Sequence, residues 1–247
     1  MLISLFVFIL EYWPDRNDAA SGLLSDEQAA ALQQENKRQQ IVSYGMPHLI
    51  DTVNLRYVIP TAVQTLDRPE ESVMEVLDMF PSKSYRTKEM YYSSARFTNL
   101  LIYDAKNNQV SQLFSQRVLI GMFHPAYFND DIFLLFLFAD KDTNNDGSIN
   151  LDDYTTLGVY SFNNKELLRI SQEDCCVGDY MFVENSKDLL IMLGIDRDKN
   201  GEFHSSKEPS VVKFYHYQNR MLTDIIPKDM QENLQQLVEG RNVINNN

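Results

Sequence analysis

Two stretches of the chain are apolar without interruption, "IFLLFLFA" at 132–139 and "LLIMLGI" at 189–195. Each has the length of a strand. A strand whose alternating side chains are apolar on both faces belongs between two layers rather than at a surface, and periodicity alone leaves a buried helix as the alternative. Downstream of them, "LGVYSFNNKELLRI" (157–170) and "VKFYHYQNRMLTDI" (212–225) place an aromatic strand, a polar turn with Asn and a second strand in succession, which is a hairpin pattern. "LLIYDAKNNQVSQLF" (100–114) has the same form. Helical spacing is confined to three places. Residues 25–40 open on Ser25 with Gln28 as capping partner, but carry only Ala29, Ala30, Ala31 and Leu32 as apolar residues, so a solvated spacer helix is expected. Val73, Val76, Leu77 and Phe80 fall at i, i+3, i+4 and i+7 within 69–80. In 227–240, Met230, Leu234, Leu237 and Val238 share one face, and Gly240 is a helix stop.

These segments recur. Asp142, Asn144, Asp146 and Gly147 match Asp196, Asp198, Asn200 and Gly201 at an offset of 54, whereas the following hairpins match at 55, so one residue is inserted between them. The segment heads repeat too: "SYGMPH" ending at His48 is similar to "LIGMFH" ending at His124, and Gly178 opens the third. The expected organisation is an apolar, anchor-like segment at 1–14, a polar linker and helix at 15–40, a β-repeat domain at 41–226, and a C-terminal helix and polar tail at 227–247. The units run at about 41–114, 117–170 and 174–226, each with about four strands, and the first carries an insertion from about 64 to 97 in place of the acidic loop.

In the order turn, apolar strand, acidic loop and aromatic strand, "FHPAYFNDDIFLLFLFADKDTNNDGSINLDDYTTLGVYSFNNKELLRI" resembles the blades of β-propellers, in particular the WD-like repeats of the TolB type. It lacks their Pro-Asp-Gly turn. The resemblance implies a mainly β fold of three propeller-blade-like antiparallel repeats with a few peripheral helices. Closed propellers have about 4 to 8 blades, so three units form an incomplete ring or one completed by a second chain.

The loop from Asp142 supplies oxygen donors at the spacing that wraps one hard cation: Asp142, Asn144 and Asp146 at positions 1, 3 and 5, Gly147 at 6, the Ser148 carbonyl at 7, Asn150 at 9 and Asp153 at 12. It resembles an EF-hand or dockerin-type calcium loop, with Asp153 replacing the commoner Glu. Its flanks are not amphipathic helices, which points to a clasp between strands. The second loop offers Asp196, Asp198, Asn200, the Glu202 carbonyl and His204 at the same positions. Lys207 stands at position 12 there, and the inserted residue makes Glu208 the counterpart of Asp153. The expected cofactor is Ca2+. The competing reading is a pair of Asp/Asn/Gly turns without metal.

Charge narrows the partners. Against 35 acidic residues stand 22 basic ones, a net −13, which repels phosphate backbones and argues against nucleic acid. The run Leu2–Leu10, followed by Tyr12, Trp13 and acidic sequence, has the look of a helix leaving a membrane. A signal peptide or a core segment are the other readings, because the run is shorter than the roughly 20 residues of a full span. With Arg16 as the single basic residue between it and Lys37, the rest is expected outside the cytoplasm. Cys175 and Cys176 are adjacent and close no loop. No nucleophile elbow, phosphate loop, dinucleotide fingerprint or zinc pattern occurs. His48 and His124 hold equivalent positions, which favours a packing role over catalysis, and the aromatic residues of the hairpins are expected in the core. The function expected is a non-enzymatic, calcium-binding β-repeat protein, membrane-anchored and extracytoplasmic, acting in interaction or assembly with a protein partner or a second copy. A propeller-like hydrolase of glycans or peptides, or a subunit of a membrane complex, are the alternatives.

Overall fold

The computed structural model describes residues 23–24, 26–35, 40–65 and 96–240. The fold is mainly β: several antiparallel sheets, one curved into a half-barrel, and two helices among the described residues. The chain enters through β1 (Leu23–Leu24) and α1 (Asp26–Gln34), which buries none of its residues. It is in strand again by Gln40, so the helix is shorter than the polar segment that contains it. The apolar N-terminal run and the expected helix at 69–80 lie outside the described residues. No helix among the described residues is long and apolar enough to cross a membrane.

In the first sheet, β2 (Gln40–Tyr44) and β3 (His48–Asp51) both pair with β4 (Arg56–Thr65), followed by β5 (Asn99–Asp104) and β6 (Gln109–Gln112). The break between β2 and β3 falls at Gly45-Met46-Pro47, where proline cannot donate to the ladder. The second sheet contains β7 (Leu119–Tyr127), β8 (Ile132–Ala139), β10 (Thr156–Ser161) and β11 (Glu166–Ile170), while the short β9 (Ser148–Ile149) pairs with β1. The third contains β12 (Cys175–Phe182), β13 (Leu189–Ile195), β14 (Ser210–His216) and β15 (Met221–Asp224). The second and third sheets have their strands hydrogen-bonded in chain order, apart from the excursion of β9. The chain ends, as described, in α2 (Lys228–Val238) and Gly240 in the left-handed region, φ 72°.

The uninterrupted apolar run of β8 is explained by its place. Phe133 and Leu135 pack with Leu189, Ile191 and Leu193 of the third sheet, and Leu134, Phe136 and Phe138 pack with Val58, Leu100 and Ile102 of the first. The second sheet is the filling between two others, so both alternating sets leave water. For β13 the same expectation is corrected. Leu189, Ile191 and Leu193 are buried, but Met192 on the other side is 36% exposed, because no described layer covers that side. Its run is apolar on two faces and buried on one.

Small residues let rings lie across strands. Gly158 faces Phe136 in register, and a Cβ there would stand 2.4 Å from the ring. Of the hairpin aromatics, Tyr160, Phe162 and Tyr215 are core residues. Tyr103 stacks obliquely on Tyr57, with centroids 6.1 Å apart, on the outer side of the first sheet. His48 meets the edge of Phe123, and His124 stacks on Tyr180. Phe123 and His124 are consecutive in β7, so the two imidazoles lie against opposite faces and do not converge. Cys175 and Cys176 are both buried, and the Cys176 sulfur is engaged by Thr155.

Candidate metal centre

Both acidic loops occupy the same kind of connection in neighbouring sheets, β8 to β10 and β13 to β14. The 66–95 stretch belongs to the corresponding connection of the first sheet, β4 to β5. The two loops are wound by the same hydrogen bonds. The Gly147 N–H donates to Asp142 at 3.0 Å, and the Gly201 N–H donates to Asp196 at 2.8 Å. The side chain at position 3 accepts from the N–H at position 5: Asn144 from Asp146 at 3.0 Å, Asp198 from Asn200 at 3.3 Å. Position 5 accepts from position 7: Asp146 from Ser148 at 2.7 Å, Asn200 from Glu202 at 2.9 Å. Asn145 and Lys199 are left-handed at φ 59° and 58°, and the glycines at 91° and 86°. Asn tolerates that region and Gly prefers it, so Lys199 is the strained member.

The closing carboxylates also correspond. Asp153 accepts from the N–H of Thr143 at 2.7 Å and of Asn150 at 2.8 Å, which are positions 2 and 9. Glu208 accepts from Arg197 at 2.7 Å and His204 at 2.9 Å, again positions 2 and 9. The inserted residue is absorbed by a turn in which the Lys207 and Glu208 N–H groups both donate to the His204 carbonyl at 2.9 Å. Lys207 itself is exposed.

The loops differ in what they gather. Carboxylate oxygens of Asp196, Asp198 and Glu208 lie within 4.8 Å of one another, and among the described residues these are the acidic, His or Cys side chains that converge in this way. Asp142, Asp146 and Asp153 do not. The shorter Asp153 is drawn fully inside, where it also accepts from the Asn144 N–H at 3.3 Å. Its oxygens close the loop. In the first loop Asp142, Asn144, Asp146 and the Ser148 carbonyl remain as the donor set. Asn150 turns its amide to Asp146 at 3.0 Å and accepts from the Asp152 N–H at 2.7 Å. His204 contributes its backbone N–H, and its Nε2 stands 3.0 Å from Glu202.

Burial and hydrogen bonding compete at two carboxylates, with opposite outcomes. At Asp153 desolvation outweighs the bonds from Asn150, Thr143 and Asn144 and pushes the pKa up. At Asp196 desolvation also opposes ionisation, but the Tyr154 hydroxyl and the N–H groups of Gly201, Lys199 and Asn200 outweigh it and hold the carboxyl below its ordinary value. Backbone N–H groups of His204 and Arg197 hold Glu208 low as well.

Sequence reasoning did not foresee that the loops touch. The Thr143 hydroxyl donates to the Gly201 carbonyl at 2.6 Å, the Asn144 amide to Glu202 at 2.7 Å, and the Tyr154 hydroxyl to Asp196 at 2.6 Å. A Cβ on Gly201 would sit 2.0 Å from the Thr143 carbonyl oxygen, so the glycine serves both the left-handed turn and the close approach. The N-terminal arm was equally unforeseen. Leu23 pairs with Ile149 and Leu24 with Ser148, and Leu23, Leu119, Ala139 and Ile149 form a small core of their own. Arg117 ties the arm down through the Leu24 carbonyl and Asp26, the latter at 2.6 Å. Nothing in the local sequence around Leu23 signals these partners, since they lie more than 90 residues away.

Oxygen-only donors on tight loops suit Ca2+, which takes 6–8 oxygens at about 2.3–2.6 Å. The chain matches no protein-family model, no curated protein and no solved structure.

Proposed function

We propose that the chain is a calcium-stabilised, non-enzymatic β scaffold of propeller-like units, held outside the cytoplasm by its N-terminal apolar segment and used in assembly. The observation that carries this reading is the convergence of Asp196, Asp198 and Glu208 in a loop whose winding is duplicated at Asp142. Three carboxylates at that separation repel one another, and a divalent cation converts the repulsion into attraction. The metal is structural in this role. Each loop joins two adjacent strands, and the loops touch across two sheets, so an ion at either one stiffens the contact between the second and third sheets.

Thermal unfolding in calcium and in chelator tests the proposal. A ligand at about 100 times its Kd adds about 2.7 kcal/mol, which for a chain of this size raises Tm by roughly 5–10 °C. The Asp196→Ala/Asp198→Ala variant is expected to lose most of the shift, and further substitution of Asp142 and Asp146 the remainder. If calcium leaves the parent's melting curve unchanged, the metal role is wrong.

A further inference from the structure

Among the described residues the three sheets form a stack whose two end faces are uncovered, and both carry apolar rows, interrupted by Asp179 beside Met192, Thr223 beside Phe214 and Gln112 beside Leu101. On the third sheet the outward rows carry Met181, Met192, Val212 and Met221, which are 61%, 36%, 40% and 54% exposed, with Leu190 and Phe214 between them. On the first sheet the outward rows carry Leu49, Tyr57, Tyr103 and Val110, paired in register across four strands, with Ile59 and Leu101 alongside. Leu49 is 44% and Val110 is 60% exposed. The second sheet shows what such rows do elsewhere in the molecule: each of its faces is buried against a neighbouring sheet. The end faces are also chemically matched to each other. One is rich in methionine thioethers and the other in tyrosine rings, and sulfur packs favourably against aromatic edges.

We propose that two copies of this chain associate head to tail, the third-sheet outer face of each covering the first-sheet outer face of the other, to close a ring of six sheets. Four strands about 4.8 Å apart and about five residues long give a face of roughly 19 Å by 16 Å, on the order of 300 Å². One face-to-face contact then covers about 600 Å² in total, the size of a weak or crystal-type contact, whereas the two contacts of a closed pair cover about 1,200 Å², the lower end of the range of stable interfaces. Closure is therefore what makes the pair stable, and six sheets fall inside the range of about 4 to 8 in closed propellers. A head-to-tail contact that does not close would grow into a filament. The proposal rests on the assembly role given above and not on metal occupancy.

The test uses the full chain in mild detergent, with mass measured by light scattering in calcium and in chelator, and calcium binding titrated on the same samples. Twice the chain mass is expected for the parent. Met192→Asp and Tyr103→Asp, on opposite ends of the stack, should each give a monomer with unchanged strand content by circular dichroism. Because Cys175 and Cys176 are buried, a flexible bismaleimide reports introduced thiols: Met192→Cys/Tyr103→Cys should cross-link into a covalent dimer, and Met192→Cys alone should not. A parent that is monomeric throughout, species larger than two chains, or cross-linking of Met192→Cys alone would each overturn the proposal. A monomer that binds calcium overturns the ring alone, and a dimer that binds none overturns the calcium clasp alone.

Discussion

Replacing Gly201 by alanine probes the contact between the two loops, with Gly147→Ala as its internal control. Both glycines hold position 6 of their loops at nearly equal φ, 86° and 91°, so the backbone cost of a side chain in the left-handed region is the same, about 1–2 kcal/mol. Their surroundings are not the same. At Gly147 the new methyl meets the amide nitrogen of Gln28 at 2.4 Å, the far end of a flexible side chain. At Gly201 it meets backbone: the Thr143 carbonyl oxygen at 2.0 Å, its carbon at 2.4 Å and the Asn144 nitrogen at 2.7 Å. Relief there requires the loops to part, which strains the bonds from Thr143 to Gly201 and from Asn144 to Glu202. Overpacking of this kind costs about 1–3 kcal/mol beyond the conformational term. Gly201→Ala should therefore cost about 2–5 kcal/mol and Gly147→Ala about 1–2. Thermal unfolding in chelator separates the two without a metal contribution, and at roughly 2–4 °C per kcal/mol the gap between variants should be several degrees. If Gly201→Ala is no more costly than Gly147→Ala, the loops are not pressed together and the coupling between the second and third sheets is wrong.

Three further outcomes are expected. Phe133→Ala removes a fully buried ring that lies 5.1 Å from both Phe128 and Tyr217, and it should cost about 3–5 kcal/mol in denaturant unfolding; a loss below about 1.5 kcal/mol would contradict the burial of β8 against the third sheet. Leu23→Asp should release the arm from β9, seen as faster amide exchange at Ser148 and Ile149 and new proteolysis near α1 while the sheets persist; unchanged exchange would show that Arg117 alone holds the arm. Burial keeps the His48 imidazole below its ordinary 6.5, so the unfolded chain takes up the proton first and stability declines as pH falls through that value toward the lowered folded one. His48→Gln should flatten this limb of the stability profile, and a profile unchanged by the substitution would mean that His48 is solvated in the fold.

Local chemistry was legible in the sequence wherever neighbours along the chain fix it. The order of strands, the hairpin turns, the register of both loops from Asp142 and Asp196, and the pairing of Glu208 with Asp153 follow from spacing, because turns and loop closures join residues a few positions apart. The ranking of the loops was not legible. A one-methylene difference lets Glu208 reach the Asp196 and Asp198 carboxylates, while Asp153 is pulled inside its loop by three backbone N–H groups, and which of these happens depends on burial.

Periodicity also has a limit at β13, whose run matches that of β8 although only one of its faces is covered. Composition states that a side chain avoids water, and only the layer placed opposite it decides whether it succeeds. The same holds for the abutment of Gly201 on Thr143 and for the arm at Leu23, contacts made by segments 58 and 126 residues apart. The sequence determined the hairpins and the winding of both loops by itself, since these rest on local hydrogen bonding and alternation. The tertiary structure decided which sheets cover which faces and which carboxylates converge, since those depend on packing between segments distant along the chain.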